Sequence, residues 1–138
     1  MRRTRSPTDR RDRRPARCHY DRLVIATGAR ARKLPFDHPA GVYTIRTVED
    51  SLAIAAEFKT RPRVAVVGAG FVGLEVASTA RALGCSVTLI ESGRVPLVRA
   101  LGQTMGVHCA ALHESRGVHV LTRGRVVGFT SDGRVTGG

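Results

Sequence analysis

The chain has 138 residues, 42% of them hydrophobic, enough for one domain of ordinary size. Its formal net charge is +12, yet no stretch approaches the roughly 18 uninterrupted apolar residues of a membrane span, and no apolar run follows the Arg-rich start as a signal peptide requires. Cys18, Cys85 and Cys109 form an odd set without C-x-x-C spacing, which speaks against a disulfide scaffold and for reduced thiols in the cytoplasm.

Residues 1–17 carry eight arginines against Asp9 and Asp12, a net +6 and half the charge of the whole chain. With almost no apolar content, they read as a disordered tail on a less basic domain. A basic tail attracts polyanions, but it lacks the interleaved aromatics that stack on bases, so no specific nucleic acid is expected. Leu23-Val24-Ile25-Ala26 then reads as a short buried strand that Thr27-Gly28 ends. Residues 29–46 read as loop, with Pro35 and Pro39 in it and a short strand at Val42–Ile45. Thr47 is an N-cap candidate, with Asp50 three positions on as a variant capping box. The helix it opens, over about 48–59, places Val48, Leu52, Ile54, Ala55 and Phe58 on one broad face.

Pro62 breaks that pattern, and the most informative stretch comes next. Arg63-Val64-Ala65-Val66-Val67 leads into Gly68-Ala69-Gly70-Phe71-Val72-Gly73, a G-x-G-x-x-G. A helix over 71–83 ends at Gly84, and a second strand over 86–90 runs to Glu91. Strand, glycine loop, helix, strand and terminal acid together are the fingerprint of a dinucleotide site. Gly68 allows a sharp turn, Gly70 a close approach of backbone to a pyrophosphate, and Gly73 close packing of helix on sheet. Free N–H groups and the positive end of the helix dipole favour the phosphates. Glu91 lies 21 residues beyond Gly70, near the spacing of about 20 for an acid on the adenosine ribose. A carboxylate there repels a 2′-phosphate and favours NADH over NADPH, whereas Arg94, just past the strand, is able to receive one.

Residues 92–101 read as loop. A helix over about 103–116 comes after it, with Met105, Cys109 and Leu112 inward and Gly117 as its C-cap. Val118–Leu121 is then a third parallel strand. Arg125–Thr130 and Arg134–Thr136, joined by Ser131-Asp132-Gly133, read as a β-hairpin. Cys85 and Cys109 read as small buried hydrophobes. The five histidines show no metal spacing, His108 and His113 being five apart on a helix, and no Ser–His–Asp set has supporting context. No metal is expected.

Two of these segments carry a family likeness. Tyr20-Asp21-Arg22-Leu23-Val24-Ile25-Ala26-Thr27-Gly28-Ala29 resembles the second FAD-contacting motif of the FAD-dependent pyridine nucleotide–disulfide oxidoreductases. Val66–Ala77 resembles their NAD(P)H motif, and Pro96–Gly102 resembles the segment just past the acid in the ferredoxin and rubredoxin reductase branch. The likeness covers about residues 20–137. It implies an α/β fold: a Rossmann-like NAD(P)-binding domain with a parallel sheet and a hairpin over 61–138, a remnant of the FAD-binding domain over 18–60, and the tail over 1–17. The family's first G-x-G-x-x-G, its later Gly-Asp motif, its C-terminal interface domain and its redox-active cysteine pair have no counterpart here, so the chain reads as an internal fragment.

The resemblance implies an enzyme that passes a hydride from NADH to FAD and electrons to a ferredoxin- or rubredoxin-like protein. It places Gly68, Ala69, Gly70, Phe71, Val72, Gly73 and Glu91 on the nicotinamide dinucleotide and Thr27 and Gly28 on FAD. It also places Glu75, two residues past Gly73 on the first helical turn, near the nicotinamide and flavin rings. Each has a plainer reading: Thr27-Gly28 as a turn that ends a strand, Glu75 as a carboxylate favoured by a helix N-terminus. Two other functions stay open: a dinucleotide-binding module without FAD and without activity, and a basic nucleic-acid-binding protein.

Overall fold

A computed structural model describes residues 19–137. The Arg-rich tail and Cys18 lie outside them. The centre is a βαβαβ unit. It comprises β1 (Arg63–Val67), α2 (Phe71–Ala82), β2 (Ser86–Glu91), α3 (Val98–Ser115) and β3 (Val118–Thr122), preceded by α1 (Val48–Phe58). The three strands are parallel in the order β1-β2-β3, with Val66 opposite Leu89 and Leu89 opposite Val120. Parallel strands need helical crossovers, and the strong alternation of β-branched runs with helical patterns between Arg63 and Leu121 supplies them.

The central strand is the most deeply buried, with Val87 and Leu89 in the core and Cys85 just before them. From α2 come Leu74, Ala77 and Ala80, three or six residues apart and so on one face. Two of the three are alanines, which bring the helix axis close to the sheet. The C-terminus of α2 is closed by Gly84 at φ +88, with Gly84 N–H donating to Arg81 O and Cys85 N–H to Ala80 O, both at 3.0 Å. Those two bonds satisfy carbonyls the helix leaves free, and the left-handed backbone they require suits glycine.

α1 begins as expected. Thr47 Oγ1 accepts from Asp50 N–H at 3.2 Å, and Asp50 Oδ2 accepts from Thr47 N–H at 2.9 Å, a complete capping box. Its apolar face is narrower than expected: Phe58 is in the core and Ile54 packs on it, but Val48, Leu52 and Ala55 face solvent. Only the C-terminal end of α1 meets the sheet.

Four further expectations need correction. Leu23-Val24-Ile25 forms no strand and is 61%, 85% and 78% exposed; no strand among the described residues lies beside it to take its backbone hydrogen bonds. Val42–Ile45 is also not a strand; the pairing here is a single bridge, with Val135 N–H donating to Ala40 O at 2.8 Å. The expected hairpin shrinks to β4 (Thr130–Ser131) and β5 (Val135–Gly137), and its first arm from Arg125 to Phe129 is irregular. Phe129 turns instead onto Phe36 and His38, with ring centroids 5.2 and 5.8 Å away.

The fourth correction concerns α3. Gly102, at φ 78 and ψ 175, breaks the element after its first turn, so the continuous helix starts where the sequence places it. Its inward face is different. Gly106 is buried, and Cys109, Ala110 and His113 are half-buried, whereas Met105 and Leu112 are each 49% exposed. A Cβ on Gly106 would stand 2.4 Å from Pro96 O and 2.6 Å from Val95 Cγ2. The loop before the helix therefore lies directly on Gly106, and this contact fixes the rotation that carries Met105 and Leu112 outward.

Candidate dinucleotide site

The site begins where β1 ends. Gly68 turns the chain at φ +98, and its N–H donates to Ile90 O at 2.8 Å, extending the β1–β2 pairing by one rung. Gly70 is the N-cap of α2 and offers no side chain to the free N–H groups of the first turn. A Cβ built on Gly68 or Gly70 would meet nothing within 4 Å, so open space lies over both. A Cβ on Gly73 would stand 2.0 Å from Gly68 O. The three glycines thus split by role: two leave room for a ligand and one lets the helix pass against the loop.

Glu91, at the end of β2, reaches back to this loop. Its Oε2 accepts from Ala69 N–H at 2.9 Å, and its Oε1 accepts from Gly93 N–H at 2.6 Å and from Ser92 Oγ at 3.3 Å. Partial burial pushes its carboxyl upward, but the Gly93 and Ala69 N–H groups, the Ser92 hydroxyl and the charge of Arg99 outweigh this and hold it below the ordinary carboxylate range. The acid is therefore an anion at neutral pH, fixed beside the glycine loop. Ala69 itself is buried, and its carbonyl accepts from Leu97 N–H at 3.1 Å, so the loop before α3 is tied to the same point.

Phe71 and Val72, the first two residues of α2, are more than half exposed and border the open side of the loop. Glu75 is also exposed, but it is the fifth residue of α2 and lies in the second turn, not the first. Counted from Phe71, where the sequence also starts the helix, Glu75 falls just beyond the first turn rather than on it. Arg94 is exposed one residue past Gly93. Thr27 and Gly28 stand apart from this cluster. Both are exposed, Gly28 at φ +78, and they line a shallow groove with Ala29, Arg30, Arg46 and Thr47.

Sequence reasoning left the partners of Glu91 unmarked. Ser92-Gly93 is a turn dipeptide directly after the acid, and that is the available signal. Nothing in the pattern points to Arg123 and Gly124, whose N–H groups donate to Gly93 O at 2.9 Å and Glu91 O at 3.0 Å. Cys85 is buried as expected, whereas Cys109 is only half-buried.

Comparison with known proteins places this geometry in a family. Residues 4–138 match the pyridine nucleotide-disulphide oxidoreductase domain. The chain belongs to the pyridine nucleotide-disulphide oxidoreductase family. Among curated members, it is 46% identical over 101 residues to the anthranilate 1,2-dioxygenase system ferredoxin–NAD(+) reductase component of Burkholderia cepacia, covering 72% of this chain and 25% of that protein. It is 41% identical over 118 residues to the biphenyl dioxygenase system ferredoxin–NAD(+) reductase component of Paraburkholderia xenovorans, covering 84% and 29%. Among solved structures, the ferredoxin reductase for the CYP199A2 system of Rhodopseudomonas palustris matches with a TM-score of 0.75 at 32% identity, over 80% of this chain and 28% of that one. The covalent putidaredoxin reductase–putidaredoxin complex matches with a TM-score of 0.72 at 35% identity, over 85% and 30%. The chain thus spans between a quarter and three-tenths of the length of these family members. The α/β architecture and its parallel sheet are those of the family's Rossmann-type reductases. Among the described residues, no helix is long and apolar enough to cross a membrane.

Proposed function

We propose that this chain is the nicotinamide-dinucleotide-binding part of an FAD-dependent reductase that takes electrons from NADH and delivers them to a small iron–sulfur protein. The observation that carries the reading is the Glu91 carboxylate, ionised and bonded to Ala69 N–H, beside open space over Gly68 and Gly70. Space without Cβ atoms at a helix N-terminus fits a pyrophosphate, and a fixed anion at the end of the second strand fits ribose hydroxyls. The same anion disfavours a 2′-phosphate, so NADH is the dinucleotide proposed. Relatives named as ferredoxin–NAD(+) reductases, and a reductase solved with putidaredoxin, support the acceptor class.

The roles follow from position. Gly68 and Gly70 admit the pyrophosphate, the first turn of α2 donates N–H groups to it, and Glu91 accepts from the ribose. Glu75, one turn further along α2, would orient the nicotinamide end. Thr27 and Gly28 would meet FAD; the open groove at Gly28, where a Cβ meets nothing within 4 Å, has room for such a contact. Hydride donation from the reduced nicotinamide to the flavin is the chemistry the two cofactors supply when bound. Residues 18–60 would belong to the FAD-binding domain and 61–138 to the NAD(P)-binding domain. Free Cys85 and Cys109 suit the reducing conditions of the cytoplasm.

A second reading has its own support for this chain alone: a module that holds NADH but no FAD. Thr27 and Gly28 are exposed and, among the described residues, no flanking strand encloses them. Purification of the chain and titration with NADH, monitored by nucleotide fluorescence, tests both. Saturable binding that ADP-ribose competes away is expected, with no flavin absorption in the purified protein. Absence of NADH binding overturns the dinucleotide reading, and stoichiometric flavin overturns the second reading.

A further inference from the structure

We propose that Gly93 is a positioning residue for the Glu91 carboxylate, and through it sets the selectivity for NADH over NADPH. The inference rests on the dinucleotide reading above. Its starting point is a contact between two parts of one turn. Gly93 N–H donates to Glu91 Oε1 at 2.6 Å, so the carboxylate folds back over the residue two positions on. A Cβ at position 93 would stand 3.0 Å from that same oxygen, with only Val95 O otherwise near, at 3.6 Å. Any side chain at 93 therefore presses on the acid and on little else.

The backbone beneath the contact is not free to yield. Gly93 O accepts from Arg123 N–H at 2.9 Å and Glu91 O from Gly124 N–H at 3.0 Å. Arg123 holds a left-handed conformation at φ 57, and a Cβ on Gly124 would stand 3.1 Å from Ile90 Cγ2. The turn after β3 thus clamps the turn after β2 from below. Non-glycine residues at positive φ are uncommon and persist where the surroundings impose them. With the backbone clamped, a side chain at 93 is accommodated by the movable carboxylate. That movement, a few tenths of an ångström, strains the bond at Ala69 N–H and shifts the acid relative to the ribose position, while the sheet below is untouched.

Gly93→Ala and Glu91→Ala, alone and combined, test this in a double-mutant cycle read by NADH and NADPH affinity and by thermal melting. Loss of a hydrogen bond to a charged group is worth about tenfold or more in affinity. Gly93→Ala is expected to weaken NADH several-fold, short of the roughly tenfold that outright loss of such a bond costs, to change NADPH less than twofold, and to add nothing further when Glu91 is already alanine. Equal losses for both nucleotides, or a Gly93→Ala effect that persists in the Glu91→Ala background, overturn the proposal. If Gly93→Ala does not fold, the combined variant decides. Recovery of folding on removal of the carboxylate supports the contact, and failure to recover overturns it. A wild-type chain that binds no NADH rejects the dinucleotide reading instead, which titration of the wild-type chain shows before any variant is made.

Discussion

Ala69 and Glu91, 22 positions apart, are joined by a 2.9 Å hydrogen bond from the Ala69 backbone to the Glu91 carboxylate. The bond connects the loop after the first strand to the end of the second. It places the acid proposed to read the ribose and the loop proposed to take the pyrophosphate in one rigid unit.

Glu91→Arg should move nucleotide preference from NADH toward NADPH. The substitution removes a carboxylate that repels a 2′-phosphate and supplies a guanidinium that can pair with it. Titrating both nucleotides into wild type and variant gives the ratio of affinities. An unchanged ratio would place the ribose away from Glu91.

The Glu91 tether should depend on pH in one direction. Its folded carboxyl lies below the ordinary range, so the stability it contributes is complete above the unfolded value of about 4.3 and is lost as pH falls through the folded value. The difference in melting temperature between wild type and Glu91→Gln should therefore be constant from pH 8 to pH 5 and shrink only below about pH 4. A difference that already narrows between pH 7 and pH 5 would contradict this.

Gly73→Ala should damage fold and site together. The added Cβ would stand 2.0 Å from the backbone oxygen Gly68 O, which has no side-chain freedom to yield, so α2 must lift from the loop. Overpacking of this kind costs about 1–3 kcal/mol. Denaturant unfolding should show that loss, and NADH binding should weaken with it. Wild-type stability in the variant would mean that the helix has slack the structure does not show.

Leu89→Ala should be among the most costly single truncations. Leu89 is fully buried on the central strand, between Val66 and Val120. Removal of such a side chain costs about 2–5 kcal/mol. Chemical denaturation measures it, and a change below about 1 kcal/mol would mean that the core closes over the gap.

The sequence showed the βαβαβ unit almost residue by residue, because there local signals and tertiary needs agree. Val64–Val67 and Val87–Ile90 are runs rich in β-branched residues that become the paired strands β1 and β2, with Val66, Val87 and Leu89 in the core, and Gly84 and Gly117 stop helices at positive φ. The glycine loop and Glu91 were legible for the same reason, each being tied to a local conformation at a fixed spacing. The misreadings fall where a distant contact decides. The phase of α3 is set by Pro96 and Val95 lying on Gly106, which no periodicity reports. Leu23–Ile25 has the composition of a strand, but a strand exists only beside another one. The clamp from Arg123 and Gly124 onto Glu91 and Gly93 joins residues some thirty apart, through backbone groups that have no sequence signature.

The exposed Leu23-Val24-Ile25 run also governs how the chain behaves in solution. Three consecutive β-branched or aliphatic side chains, whose backbone N–H and C=O groups find no partner among the described residues, are a template for intermolecular strand pairing. Asp21 and Arg22 stand immediately before it as charged gatekeepers, and no charge comes after it until Arg30. Self-association should therefore rise with concentration, and a single lysine at Val24 should slow it without touching the glycine loop.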